Sequence, residues 1–307
     1  MEIKTLNNVT VTGTLVKNGL MVRNEGEENE CISGELILRT EDGSEIPVNY
    51  FTNKYKKKDG KFTSEENKLY ESYTTMMGDY VSLENIEEGL QADVIQTGYG
   101  QFTANDFIIQ DKMVNNNKIK ATFANRVEPN KLELNPKVAK FEVNGVIVKM
   151  EDEIIKDTPT GNVIVRLDAF NTYENKSNNT LDVTIIPIKL TLPEKLRDGF
   201  VKVGFYEGGF AKLTGTIINT TSEETYVEHQ AFGEDITHTR SITIKKYEIC
   251  GGSPLPSLDN LGLTNELYEA SKSKRRLKLN ELKNKDSNNG TSNQQSESNN
   301  PFNPFSN

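Results

Sequence analysis

The sequence predicts a mainly β protein: two tandem five-stranded Greek-key barrels with short helices, followed by a disordered C-terminal tail. Three observations predict it. One series of strand-like blocks occurs twice in the same order, a helical segment interrupts each series after its third block, and the chain ends in a stretch of mostly Asn, Ser, Gln and Gly.

The first block is Val9 to Asn18 (VTVTGTLVKN), matched by Phe141 to Met150 (FEVNGVIVKM), so that Val11 meets Val143, Gly13 meets Gly145, Val16 meets Val148 and Lys17 meets Lys149. Leu36-Ile37-Leu38-Arg39 then resembles Val163-Ile164-Val165-Arg166, and Ile46-Pro47-Val48 matches Ile186-Pro187-Ile188. Three matches in order indicate a duplication whose loops differ in length. The blocks alternate or run in β-branched residues, and Glu41-Asp42-Gly43 supplies a turn. The period then changes: Ser64 to Met77, with Ser64 as N-cap, and Leu192 to Val203 read as helices. Strands resume at Ala92 to Thr97, Asp106 to Gln110 and Lys118 to Arg126, and in the second copy at Ala211 to Asn219 and Arg240 to Ile249.

Three strands, a helix and two strands is the order of an oligonucleotide/oligosaccharide-binding barrel, or OB-fold. Gly13 and Gly145 fit that reading, because a strand that bends to serve both halves of a small barrel favours a residue without Cβ. A pair of immunoglobulin-like sandwiches fits less well, given the helices inside each copy. The expected units are 1–136 and 137–256, with Gly251 to Pro256 closing the body in turn residues. A basic helical arm follows at 257–285, with its helix over Thr264 to Lys285, and a disordered tail at 286–307.

The net charge of -9 opposes a simple nucleic-acid reading, since phosphate binding rests on Lys and Arg. Any such binding therefore needs a local basic groove. Period-two alternation turns Leu36, Leu38, Val163 and Val165 inward and leaves Arg39 and Arg166 outward at one shared position. With Ile46, Val48 and Tyr50 inward, Asn49 and Phe51 face the ligand side, and Lys189 takes the place of Asn49 in the second copy. Beyond them, Asn53 to Phe62 (NKYKKKDGKF) interleaves Lys54, Lys56, Lys57, Lys58 and Lys61 with Tyr55 and Phe62, cations for phosphates and flat rings for bases. The same segment also reads as a solvated hairpin. Phe170, Tyr173 and Lys176 are the second copy's candidates, while Phe205, Tyr206, Phe210, Tyr99 and Phe102 divide between surface and core.

No enzyme is expected. His229 and His238 lack ligands at metal spacing, the two cysteines Cys31 and Cys250 stand far apart, and no phosphate-loop, nucleophile-elbow or HExxH motif occurs. No cofactor or metal is therefore expected. The apolar stretches are too short for a signal peptide or membrane span, which predicts a cytoplasmic protein. Phe302, Pro304 and Phe305, beyond the polar tail, read as a peptide hook for a protein partner.

In this pattern of strands over about residues 1–250, the chain resembles the single-stranded DNA-binding proteins of bacteriophages and bacteria, specifically phage forms with two fused barrels. Pro304-Phe305 is similar to the Pro-Phe of the bacterial family's tail, although Asn replaces Asp before it and Ser306-Asn307 follow. The resemblance implies sequence-tolerant binding of single-stranded DNA in phage replication or recombination in the bacterial cytoplasm, with replication or recombination proteins as tail partners. The alternative is an assembly or adaptor protein that uses the barrels and tail for protein contacts. A carbohydrate-binding module comes third, weakened by the absence of Trp.

Overall fold

In the computed structural model, which describes residues 7–58, 60–109, 112–175, 180–230, 232, 235–255 and 263–289, the first repeated block becomes β1 (Asn7–Asn18). The short β2 (Met21–Arg23) is followed by β3 (Cys31–Arg39) and β4 (Glu45–Asn53). A separate hairpin, β5 (Tyr55–Lys58) and β6 (Lys61–Glu66), leads into α1 (Lys68–Asp79). The first half ends with β7 (Val94–Gly98), β8 (Gln101–Ile109), β9 (Lys112–Lys120) and β10 (Phe123–Arg126). The second half holds β11 (Ala139–Ile155), β12 (Thr158–Asn175), β13 (Thr180–Leu192), α2 (Arg197–Val203), β14 (Phe210–Glu228) and β15 (Ile236–Leu255), and α3 (Asn265–Asn289) follows.

The molecule is mainly β, and its pairings close on themselves. In the first half β1 pairs β3, β3 pairs β4, β4 runs parallel to β9, β9 pairs β8, β10 pairs β7, and β7 returns to β1. Counting β7 with β8 and β9 with β10 as bent strands, this is a closed five-strand barrel. In the second half the succession β11, β12, β13, β15, β14 and back to β11 has the same sense, with β13 parallel to β15. A bulge falls between Leu15 and Lys17 in one half and between Ile147 and Lys149 in the other. These are the positions that the sequence matches.

Two expected correspondences shift by two residues. Leu15 pairs Leu38 while Ile147 pairs Leu167, so Leu38 answers to Leu167, Arg39 to Asp168, and Arg166 to Ile37. Leu38 pairs Ile46 while Leu167 pairs Ile188, so Lys189 answers to Pro47 instead of Asn49. The faces are as expected, because a slip of two leaves alternation unchanged. Arg39 and Arg166 therefore do not share a position.

The halves meet through their first strands. β1 pairs β11 antiparallel with Val9 opposite Phe141 at the centre, Asn7 opposite Val143 and Val11 opposite Ala139. Each of these residues faces the sequence equivalent of its partner's counterpart, the self-complementary pairing of a two-fold contact within one chain. The core continues across this junction: Phe102 packs on Phe141 and on Tyr247, with ring centroids 5.9 and 4.8 Å apart.

Gly13 and Gly145 lie where the second strand crosses closest. A Cβ at Gly13 would stand 2.8 Å from the Arg39 carbonyl oxygen, and one at Gly145 would stand 2.3 Å from that of Asp168. Backbone cannot swing aside as a side chain can. Gly145→Ala is therefore expected to cost about 1–3 kcal/mol in urea denaturation, and more than Gly13→Ala; an unchanged midpoint for Gly145→Ala would contradict the close approach.

Three local expectations are corrected. Ser64 lies in β6, and α1 begins after Asn67, whose side chain accepts a hydrogen bond from Leu69 N–H. The helix of the second copy is shorter than the Leu192 to Val203 reading, a 3-10 turn at Glu194–Leu196 followed by α2. Gly251 to Leu255 continue β15 against β14 instead of forming a turn, because the Gly252 backbone packs against Leu213 and the Lys212 carbonyl.

Candidate nucleic-acid interface

On the outer face of the first barrel, alternation along β4 buries Ile46, Val48 and Tyr50 and turns Asn49 and Phe51 outward. Phe51 is 47% exposed, and Lys120 of β9 places its amine 5.9 Å from the ring centroid. Lys120 pairs with Asn49 across the parallel strands, and Lys118 follows two residues away on the same face. Sequence reasoning missed both lysines. Their signal was Lys118-Ile119-Lys120, a cation-apolar-cation alternation on the strand that the OB-fold order sets beside strand three. Near the far end of β9, Tyr99 is 77% exposed and tilts against Phe123, with centroids 5.7 Å apart. Phe102 belongs to the core.

The lysine-rich segment is a hairpin, and its cations divide. Lys54 contacts Glu30 at 3.2 Å and Lys56 pairs with Glu65. Lys57 lies over the Phe62 ring at 4.3 Å, Lys58 stands opposite Lys61, and Tyr55 has Lys54 near its ring. The Lys57-Phe62 pair and the Lys58-Lys61 pair are therefore the part of the hairpin without a carboxylate partner among the described residues.

Both outward arginines are engaged. Arg39 contacts Glu45 at 2.6 Å across the β3–β4 pair, and Arg166 contacts Glu151 at 2.6 Å across the β11–β12 pair. Hydrogen bonds from Lys149 and Arg166 hold the Glu151 carboxyl below its usual range. All four pair members of the two arginine bridges are partly exposed, and such bridges contribute about 0–1 kcal/mol, so a phosphate competes with them at modest cost. Lys189 pairs with Arg166 across β12–β13 and is exposed, and Tyr173 is exposed on the β12–β13 hairpin. Lys176 and the tail residues Phe302, Pro304 and Phe305 lie outside the described residues.

Phe170 is corrected outright: it is fully buried, and α3 is the reason. Phe170, Val146, Val183 and Ile185 face away from the barrel interior and form a second apolar cluster with Leu263, packed by Phe210 and Tyr268. The Ser271 hydroxyl donates to the Val183 carbonyl at 2.8 Å, and Arg275 reaches Asp106 of the first barrel's β8 at 2.7 Å. The basic arm thus covers the outer face of β12–β13. Lys274 sits 3.4 Å from Asp182.

The Tyr268 hydroxyl donates to Asp168 at 3.1 Å, and burial raises the Asp168 pKa above its ordinary value. A raised folded pKa means that this group favours the fold most at low pH and loses that contribution as pH rises through the shifted value. Asp168→Asn, which keeps an acceptor for Tyr268, is expected to raise the melting temperature at pH 7, with the gain shrinking toward pH 4. Thermal melts across that range check it; a gain independent of pH would contradict the burial of a charged carboxylate.

Between the barrels a crevice of about 130 Å³ is lined by Asn49, Asn116 and Lys118 from one side and Asn219, Lys245 and Tyr247 from the other, with Glu35 on its wall. Lys245 donates to Asn116 Oδ1 at 3.3 Å, and the Asn219 amide donates to the Glu45 carbonyl at 2.6 Å. Burial, then the charge of Lys118, lowers the Lys245 pKa.

The outer part of β14–β15 extends as a two-stranded ribbon. It exposes Tyr226, Val227, Ile236 and Ile244, and Phe232 at its tip is 97% exposed. Contrary to the sequence reading, each histidine has a carboxylate neighbour: His229 lies 2.7 Å from Asp235 and His238 lies 2.8 Å from Glu228. Hairpin pairing brings them together. Among the described residues no cluster of three or more His, Cys, Asp or Glu side chains is placed to hold a metal, and no helix is long and apolar enough to cross a membrane.

A profile of the YorF family matches residues 5–285. No curated protein matches the chain. Among solved structures the chain is similar to the wild-type single-stranded DNA binding protein from Thermus aquaticus, at 12% identity and a TM-score of 0.43, covering 82% of this chain and 94% of that one. A deletion mutant of the same Thermus aquaticus protein gives 12% identity, a TM-score of 0.43, and coverage of 82% and 96%.

Proposed function

The chain belongs to the YorF family, and from that footing we propose that it binds single-stranded DNA with little regard to sequence, in phage DNA replication or recombination. In this reading the units 1–136 and 137–256 are duplicated OB-folds, non-enzymatic and cytoplasmic, and the first carries the open face. The observation that supports it most is Phe51: an exposed ring on the outer face of strands two and three, where OB-folds take ligands, with Lys120 beside it. Phe62 with Lys57, and Lys58 with Lys61, extend this mixture of rings and cations along the hairpin. Stacking on a ring holds any base, and lysines hold the phosphates between. The phage setting rests on the resemblance to two-barrel phage proteins, as does the proposal that Phe302, Pro304 and Phe305 recruit a replication or recombination protein.

Titration of a fluorescent oligothymidylate and a matched duplex at two salt concentrations tests the proposal. Single-strand binding that exceeds duplex binding and weakens with salt is expected; equal or absent binding would end it. A second reading, an adaptor protein, is favoured by the β14–β15 ribbon, whose exposed Tyr226, Val227 and Phe232 lie among Glu223, Glu224 and Glu228. Partner capture that depends on Phe232, without nucleic-acid binding, would select it.

A further inference from the structure

Resting on that reading, we infer that the crevice between the two barrels is a phosphate site, at which Lys118 of the first and Lys245 of the second jointly hold the backbone of a strand passing between them. The two cations approach from different halves of the chain. Neither has a carboxylate ion pair among the described residues, in a protein with 45 acidic side chains against 36 basic ones. Bringing like charges together costs free energy unless an anion sits between them. Glu35 on the wall makes no ion pair with either.

The remaining lining suits a phosphate diester. Asn49, Asn116 and Asn219 bring side-chain amides, which donate to phosphate oxygens. The Asn116 oxygen accepts from Lys245, and the Asn49 and Asn219 amides are held by the Ile119 and Glu45 carbonyls. Those bonds set the shape of the crevice before any ligand enters. A crevice of about 130 Å³ has room for one phosphate group. Lys118 and Lys245 are both exposed at its mouth, so the strand reaches them from solvent. Lys118 stands two residues from Lys120, which places this site next along the strand from Phe51.

The sequence equivalent on the second barrel lacks such a pair. Ile119 and Tyr247 occupy matching positions, so Lys118 answers to Lys246, and Lys246 is 2.5 Å from Glu248. Among the described residues the site is therefore not repeated at the equivalent place, and it orients the path.

The test uses Lys118→Met, Lys245→Met and the double variant in the full-length protein, with folding checked by thermal melts. Oligothymidylate affinity is measured between 50 and 200 mM salt, and amide NMR follows inorganic phosphate alone. Each lost contact is expected to reduce the slope of log K against log salt by about 0.7, hence about 1.4 for the double variant. Inorganic phosphate is expected to shift the Asn116, Lys118, Asn219 and Lys245 signals in wild type only. Tight oligothymidylate binding with an unchanged slope in the double variant would overturn the site and leave the proposed function standing. Phosphate shifts at these residues without oligothymidylate binding would support the site and refute the function it is attached to.

Discussion

Phe51→Ala is expected to weaken oligothymidylate binding by roughly 5- to 150-fold, the range set by about 1–3 kcal/mol per stacked base, while leaving the melting temperature unchanged. The ring points away from the barrel interior, so truncation removes a binding surface without opening a cavity. Lys120→Ala in the same assay has a smaller effect and a changed salt dependence, since it removes a cation near the ring and not the ring itself. Phe51→Tyr restores most of the affinity. Unaltered binding in Phe51→Ala would move the interface off this face.

Arg275→Ala is expected to have the largest effect on stability. Its partner Asp106 is 4% exposed and the Arg275 side chain only 16%. Removing the cation leaves a little-exposed carboxylate with, among the described residues, only Asn115 to donate to it, a loss of about 3–5 kcal/mol for a broken buried pair. The unfolding starts locally. Arg275, Tyr268 and Ser271 tie α3 to β8, β12 and β13, so hydrogen exchange in α3 should quicken before the barrel cores respond. Arg275→Met combined with Asp106→Leu recovers most of the loss, because no buried charge remains unpaired. An Arg275→Ala variant with wild-type stability and a protected α3 would show that this pair does not hold the helix.

The mainly β character and the bend of the first strand were legible because their signals are local and repeated. Gly13 and Gly145, and the Val16 and Val148 positions inside the two bulges, matched in sequence because each barrel bends its first strand in the same place. Faces followed from alternation. Register did not, since shifting the equivalent of Arg39 in the second half from Arg166 to Asp168 preserves every inward and outward assignment.

The site was less legible because its partners are distant in sequence. Nothing near Arg166 announces Glu151, which reaches it only across β11–β12. Phe170 read as a ligand-side candidate, and its cover is a helix that begins at Asn265. Lys245 and Lys118 belong to different halves of the chain, and they line one crevice in a fold where β1 pairs with β11 across those halves. Aromatic candidates could be sorted only by packing: Tyr99 and Tyr206 remained outside, while Phe102 and Phe170 went in.

Photocrosslinking locates the path of a bound strand on the surface. Oligothymidylate carrying 5-iodouracil is irradiated on the full-length protein at saturation, and the crosslinked residues are identified by mass spectrometry. Attachment is expected at Phe51 and Phe62, on β4 and the β5–β6 hairpin. Attachment confined to the β14–β15 ribbon, or none at all, would contradict the proposed interface.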